Sequence, residues 1–293
     1  MTAFNADLIN DIARRRVVLF IGSGVSASAT TRAGTSIKTW KDFLAHANTH
    51  VSDTSAQKTI EGLLNKDDFL LACELLKKSL QEQWDSIVKT EYQQSADASE
   101  LHKAIIELDQ RIIITTNFDK LLETCHSSIS SATHYPTLIT EIKDTVFKCL
   151  RTDTDYIIKL HGCVDDENSL IFEKSSYIKK AYGNWIYSEL LNTLLLTHTF
   201  MFIGFSMNDP AVSYFIEMHA QKHSSTRPHY IFLSNHADTH LTDISRTLRK
   251  LIVLPYDPAH NHVDLVVKIK ELSTQSRIRR KEILSEEMKK LAP

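Results

Sequence analysis

Glycine is scarce in this chain, seven residues in 293, and cysteine is scarcer still at four. The cysteines (Cys73, Cys125, Cys149, Cys163) fall at irregular spacings without one CxxC pair, which excludes a paired-cysteine zinc ribbon and suits a reducing compartment. Long hydrophobic runs are missing: no stretch approaches the ~20 uncharged apolar residues of a spanning helix, so no membrane association is expected. The opening residues, MTAFNADLINDIARRR, lack the apolar core and cleavage site of a signal peptide and carry acids that a transit peptide avoids. A cytoplasmic location is therefore expected. Nor is there an excess of charge of one sign. A formal net charge of −2 gives no electrostatic reason to expect direct nucleic-acid binding, although the tail from Arg277 to Lys290 is locally charge-dense.

What is present is a repeated design. Val17 to Ile21 is an uninterrupted run of β-forming apolar residues that meets Gly22-Ser23-Gly24 at once. The design recurs four times: Ile112–Ile114 before Thr115-Thr116-Asn117-Phe118-Asp119, Tyr156–Leu160 before His161-Gly162, Phe200–Ile203 before Gly204-Phe205-Ser206, and Tyr230–Leu233 before Ser234-Asn235. Strands apolar throughout belong in a parallel sheet covered on both faces. Helical patterns separate them. Leu8 and Ile12 mark a first helix, the stretch from Trp40 to Leu108 reads as helical, and Tyr177 to Thr197 reads as one long helix. Asp209-Pro210 looks like an N-cap and first-turn proline opening a helix through Met218. A last strand near Leu251–Leu254 precedes one or two helices from Val263 to Leu291. The expectation is a doubly wound α/β fold with a parallel sheet, an inserted helical module and a C-terminal helix. Residues 1–38 and 108–262 would form the sheet domain, 39–107 the module and 263–293 the terminal helical segment. Such sheets bind ligands at the carboxyl ends of their strands.

Four of the seven glycines (Gly22, Gly24, Gly162, Gly204) directly follow predicted strands. Glycine permits a sharp turn and the close approach of a phosphate to backbone N–H groups. Taken alone, each strand-end residue also has a plain structural reading. The GxG is a tight turn, with no third glycine, no acidic residue ~20 positions on and no Walker lysine. Asn117 and Asp119 are N-caps, His161 a turn residue, Ser26 and Ser206 a cap and a turn. Other constellations are weaker. His219 and His223 lack the glutamate of a zinc-protease helix, with Ala220 in its place. His260, His262 and Asp264 fall in a loop, and Cys163 beside His161 carries no signal of a reactive thiol.

In order, Gly22-Ser23-Gly24-Val25-Ser26, Thr115-Thr116-Asn117-Phe118-Asp119, Lys159-Leu160-His161-Gly162 and Gly204-Phe205-Ser206 resemble the motifs of the sirtuin (SIR2) superfamily. The resemblance spans roughly residues 17–255. The absence of paired cysteines departs from the sirtuin deacylases, whereas Met207-Asn208-Asp209-Pro210 and Leu254-Pro255-Tyr256-Asp257-Pro258 resemble the zinc-free, SIR2-like proteins of bacterial anti-phage defence. This implies a Rossmann-like NAD site without a metal and hydrolysis of NAD at its nicotinamide–ribose bond. By the same resemblance Asn117 would hold the ribose and attacking water, Asp119 would meet the carboxamide and His161 would act as base. Gly22, Gly24 and Ser26 would cradle the phosphates, with Ser206 on the adenosine side, and Ser23, Thr116, Gly204 and Asp209 would also contact the cofactor. An NAD-destroying effector must be restrained, so the resemblance also implies a regulatory partner, such as a HerA-like ATPase or a nucleotide-sensing subunit, and a homo- or hetero-oligomer. The charged helix from Ile269 to Leu291 is a candidate contact or simply a solvated helix. A deacylase, which needs a peptide channel, and a non-catalytic NAD or ADP-ribose sensor are the rival readings. Cyclisation in place of hydrolysis, and NADP in place of NAD, stay open.

Overall fold

The computed structural model describes every residue except 1–3, 33, 95, 130–134, 167–168, 208, 236–238 and 292–293. Its strands are β1 (Val17–Ile21), β2 (Thr30–Thr31), β3 (Ala96–Asp97), β4 (Ile112–Thr115), β5 (Thr137–Ile139), β6 (Tyr156–Lys159), β7 (Thr199–Ile203), β8 (His229–Ser234) and β9 (Leu251–Tyr256). Seven of them form one parallel sheet in the order β5-β6-β4-β1-β7-β8-β9. The chain winds outward from β1 through β4 to β5 and β6, then crosses back to place β7 on the other side of β1. The order reverses between β1 and β7, and a crevice opens at the carboxyl ends of strands where that happens.

Both faces of the sheet are covered, which is why its central strands carry no polar alternation. Val18 and Phe20 of β1 point to one core, where Tyr187, Leu190, Leu194 and Phe215 arrive from helices Trp185–Thr197 and Pro210–Lys222. Val17, Leu19 and Ile21 point to the other, against Leu8, Ile105, Ile269 and Leu272 from helices Ala6–Ala13, Glu100–Ile106 and Ala259–Leu291. This is a Rossmann-like α/β architecture.

Helices Trp40–Asn48, Thr54–Leu64, Phe69–Leu80 and Glu82–Tyr92 pack around a third core containing Phe43, Ile60, Leu76 and Trp84. Thr39, Asp53 and Asp68 cap three of them by accepting backbone N–H bonds. Gln81, at φ 48°, breaks the chain between the last two. Phe118, Leu121, Val164 and Phe172 from the strand-end loops enter the same cluster, so the helical bundle is seated on the end of the sheet where the loops lie.

Three features depart from the sequence expectation. Strand β5 is an additional edge strand, and β2 pairs with β3 in a small antiparallel ladder. The segment 177–197 is not one helix: a π-helical turn, Tyr177–Tyr182, stops at Gly183, and Asn184 caps a new helix at Trp185. The helix opened by Pro210 continues past Met218 to Lys222. The terminal helix agrees with the expectation, a left-handed stretch at His260, Asn261 and His262 preceding a long helical portion that ends at Leu291.

Candidate functional site

The first glycine loop is built by close backbone contact. A Cβ on Gly22 would lie 2.4 Å from the Gly204 carbonyl oxygen, and one on Gly204 would lie 2.7 Å from the Val25 nitrogen. Gly22 N–H donates to Ile203 O and Gly24 N–H to Gly204 O, each at 3.0 Å. The loops after β1 and β7 are thus locked together at the topological switch point, and glycine is needed because two backbones meet there. Gly204 has φ +62°, and Met207, three residues on, has φ 60°. Left-handed backbone at a non-glycine residue is held only where its surroundings determine it, and here Ser213 Oγ donates to Met207 O at 2.6 Å.

Beside these loops lies a cavity of about 590 Å³. Ser23, Gly24, Ser26, Thr116, Asn117, Asp119, His161, Gly204, Ser206 and Asp209 all line it, whereas Gly22 lies beneath the floor. Asn208 of the Met207–Pro210 segment is outside the described residues. The opposite wall was not read from the sequence. It comes from Lys38, from the helical bundle through Trp40, Lys41, Phe69 and Tyr92, and from the ends of β8 and β9 through Phe232 and Tyr256. Both lysines are held: Lys38 Nζ lies 2.6 Å from Glu91, which also accepts the Lys38 N–H, and Lys41 Nζ lies 2.9 Å from Asp67.

Asn117 stands at the centre of a directional chain. Thr115 Oγ1 donates to Ile21 O at 2.9 Å and accepts the Asn117 N–H at 3.0 Å, fixing the turn after β4. The Asn117 side chain donates from Nδ2 to Gly22 O at 3.0 Å and to Ser26 Oγ at 2.8 Å. The Ser26 hydroxyl donates to Asp119 Oδ2 at 2.5 Å, while Asp119 Oδ1 accepts the Leu121 N–H at 3.0 Å. Because a carbonyl can only accept, the Gly22 contact fixes the amide orientation and assigns Oδ1 as the remaining acceptor. That atom is buried and has no hydrogen-bond partner. Ser26 and Asp119 serve this chain internally, as does the Gly24 N–H with Gly204, so several groups expected to face a ligand also bind each other.

Lys159, at the end of β6, is 1% exposed and reaches under the same turn. Its ammonium donates to the carbonyls of Asn117 and Asp119 and lies 3.0 Å from Glu123. The next residues turn sharply at Gly162, φ +86°, where a Cβ would strike the Ser169 backbone at 2.4 Å. That turn presents His161, 3% exposed. Its Nε2 lies 3.3 Å from Asp209 Oδ2 yet forms no hydrogen bond, while Nδ1 lies 3.4 Å from the Tyr177 hydroxyl. Burial holds the imidazole pKa below its ordinary value, with the Asp209 charge opposing that shift. Asp209 caps the following helix at Val212 N, 3.0 Å. No cluster of His, Cys, Asp and Glu able to hold a metal occurs among the described residues. No helix among them is long and apolar enough to cross a membrane.

The arrangement has relatives. Residues 111–252 match a family model described as a SIR2-like domain. The chain is 26% identical over 216 residues to NAD(+) hydrolase ThsA of Cytobacillus dafuensis, covering 73% of this chain and 40% of that protein. It is 27% identical over 153 residues to NAD(+) hydrolase ThsA of Bacillus cereus (strain MSX-D12), covering 51% and 31%. Defense-associated sirtuin 2 of Bacillus subtilis is 25% identical over 154 residues, covering 50% and 15%. The chain therefore spans less than half the length of these curated relatives. A solved structure described as a SIR2 homolog–NAD complex aligns with 14% identity and a TM-score of 0.47, covering 95% of this chain and 96% of that one. Asn117, Asp119, His161, Gly204 and Asp209 all fall inside the stretch, residues 111–252, that matches the SIR2-like domain model.

Proposed function

We propose that this chain binds NAD at the switch-point cavity and hydrolyses its nicotinamide–ribose bond, giving ADP-ribose and nicotinamide. One observation carries the reading: Asn117 Oδ1 and His161 Nε2, two buried polar atoms without hydrogen-bond partners, belong to residues that line one cavity. Buried polar atoms are rarely left unpaired, and a catalytic role or a bound molecule is among the explanations for an exception. The names of the relatives supply the substrate.

In this mechanism the C1′–nitrogen bond breaks as positive charge grows on the ribose. Asn117 Oδ1 accepts a hydrogen bond from the attacking water or a ribose hydroxyl and orients it. Water oxygen bonds to C1′, nicotinamide departs with the bonding pair, and the water proton passes to His161 Nε2 and then to solvent. Gly24, Ser23, Thr116 and Ser206 border the pyrophosphate and adenosine. Residues 39–107 act as a module that completes the cavity wall, set against a sheet domain of residues 1–38 and 108–262. The name of one relative, defense-associated sirtuin 2, supports a role in defence; control by a partner protein and assembly into an oligomer complete the proposal. The helix Ala259–Leu291 is the candidate contact, its last turns exposed at Leu284, Met288 and Leu291.

The test is a time course of NAD loss and nicotinamide release by the wild type, Asn117→Ala and His161→Ala, each alone and with the product of the neighbouring gene. Either substitution should slow release by about a hundredfold or more, the scale of losing one positioned polar group or general base, while the fold persists. Full activity in both variants overturns the mechanism. NAD binding without turnover under every condition identifies a sensor instead.

A further inference from the structure

We infer that Tyr177 and Asp209 form a positioning pair that fixes which nitrogen of His161 carries its proton, holding the ring as the Nδ1–H tautomer and leaving the Nε2 lone pair for the reaction. This rests on the reading of His161 as the base. The sequence places Tyr177 at the start of a helix and Asp209 with the cofactor, and gives neither this part.

The three side chains come from separate segments that meet at the cavity wall: His161 after β6, Asp209 after β7, and Tyr177 from the π-helical turn behind them. Single π turns inside helical segments recur at functional sites, because the wider turn displaces one side chain from the regular helical direction. Tyr177 is fully buried and its ring meets that of His161 edge-on, at 5.1 Å between centroids and 67°.

The direction of each bond follows from counting protons. A tyrosine hydroxyl has one, and Tyr177 donates it to Asp209 Oδ2 at 2.8 Å. Burial, and then the Asp209 charge, push the phenol pKa well above its ordinary value, so that proton stays. What the hydroxyl offers His161 is a lone pair, 3.4 Å from Nδ1, and only an N–H can answer it. With Nδ1 protonated, neutral His161 carries its lone pair on Nε2, the atom that has no hydrogen-bond partner. The Asp209 carboxylate is itself immobilised, since its other oxygen caps the helix at Val212. Standing 3.3 Å from Nε2 without a hydrogen bond, it contributes charge that favours the imidazolium formed when the base takes up a proton. The pair thus selects a tautomer before the reaction and stabilises the ion after it.

The decisive measurement is a long-range ¹H–¹⁵N spectrum of the ring nitrogens in the full chain, with the His161 signals assigned by His161→Gln. It needs no turnover, so it separates this proposal from the proposed activity. In the wild type Nδ1 should be protonated and Nε2 bare. Tyr177→Phe removes the acceptor facing Nδ1, leaving the carboxylate near Nε2 as the acceptor beside the ring, and the proton should move to Nε2. Asp209→Asn keeps an oxygen for the helix cap but turns an NH₂ toward Tyr177, whose hydroxyl then donates to Nδ1, so the same change is expected by a second route. In NAD turnover both variants should lower kcat about tenfold or more with KM within about twofold, a loss in the chemical step. An Nε2–H tautomer in the wild type overturns the proposal. So does a spectrum unmoved in both variants, or a loss confined to KM. If the wild type turns over no NAD with or without its partner, the hydrolase reading fails while the ring spectrum still decides the pair.

Discussion

A lysine sealed from water needs partners for its charge, and Lys159 donates to the Asn117 and Asp119 carbonyls and has the Glu123 carboxylate 3.0 Å away as its counter-charge. Spacing alone marks none of these residues: Asn117 and His161 read as a cap and a turn residue until the resemblance of their motifs makes them candidates, and Lys159, within one of those motifs, carries no signal of its own. Tyr177 escaped for a related reason: an aromatic within an apolar helical pattern reads as core, and nothing in the pattern marks a π turn. Lys159→Met should cost about 3 kcal/mol in denaturant unfolding, because breaking a buried ion pair strands the charge of its partner. It should also reduce NAD turnover by loosening the turn that carries Asn117. The protonation of His161 gives a second measurable consequence. Burial lowers its pKa below the ordinary 6.5, and a base acts only while unprotonated, so kcat should hold its neutral-pH value as the pH falls through 6.5 and decline only at lower pH. A profile already halved at pH 6.5 would contradict that.

At the scale of elements, the central strands were readable because helices on both faces demand continuous apolar runs, and β1, β4, β6 and β7 are buried along their whole length. Strand β5 was not, since its three residues lie at the sheet edge with two exposed, and so carry no burial pattern. The break at Gly183-Asn184 was hidden within an otherwise apolar helical stretch, although Asn184 is an ordinary cap, accepting the Ile186 N–H at 3.0 Å. The glycines were legible as positions but not in their reason, which is contact between two loops. Two substitutions separate these cases. Gly22→Ala forces a methyl to 2.4 Å from a backbone oxygen and should destabilise by about 2 kcal/mol or more while disturbing the loops after β1 and β7 together. Gly62→Ala, in helix Thr54–Leu64 with nothing within 4 Å of the added carbon, should stabilise by about 0.5–1 kcal/mol through helix propensity. Thermal and denaturant unfolding of the two variants, compared with the wild type, check both signs.

The whole molecule stores a sensitivity to acid in its buried histidines. Burial depresses His102 and His219 to about 4 and His229 to about 3, all from 6.5. Each is thus harder to protonate in the folded chain than in the unfolded one. As the pH falls below 6.5 the unfolded state takes up protons first, and stability is lost down to about pH 4, where His102 and His219 begin to titrate in the folded state too. The melting temperature should therefore be level above pH 7 and fall steadily between pH 6.5 and 4.5; a level curve across that interval would contradict the burial of these rings. The cavity has an asymmetry of its own. Its floor at the switch point is backbone locked to backbone, Gly22 and Gly24 against Ile203 and Gly204, whereas its far wall is made by side chains such as Lys38, Trp40 and Lys41. For anyone designing inhibitors, the floor is a fixed template on which a scaffold is anchored, and selectivity between this protein and its relatives is to be sought on the side-chain wall.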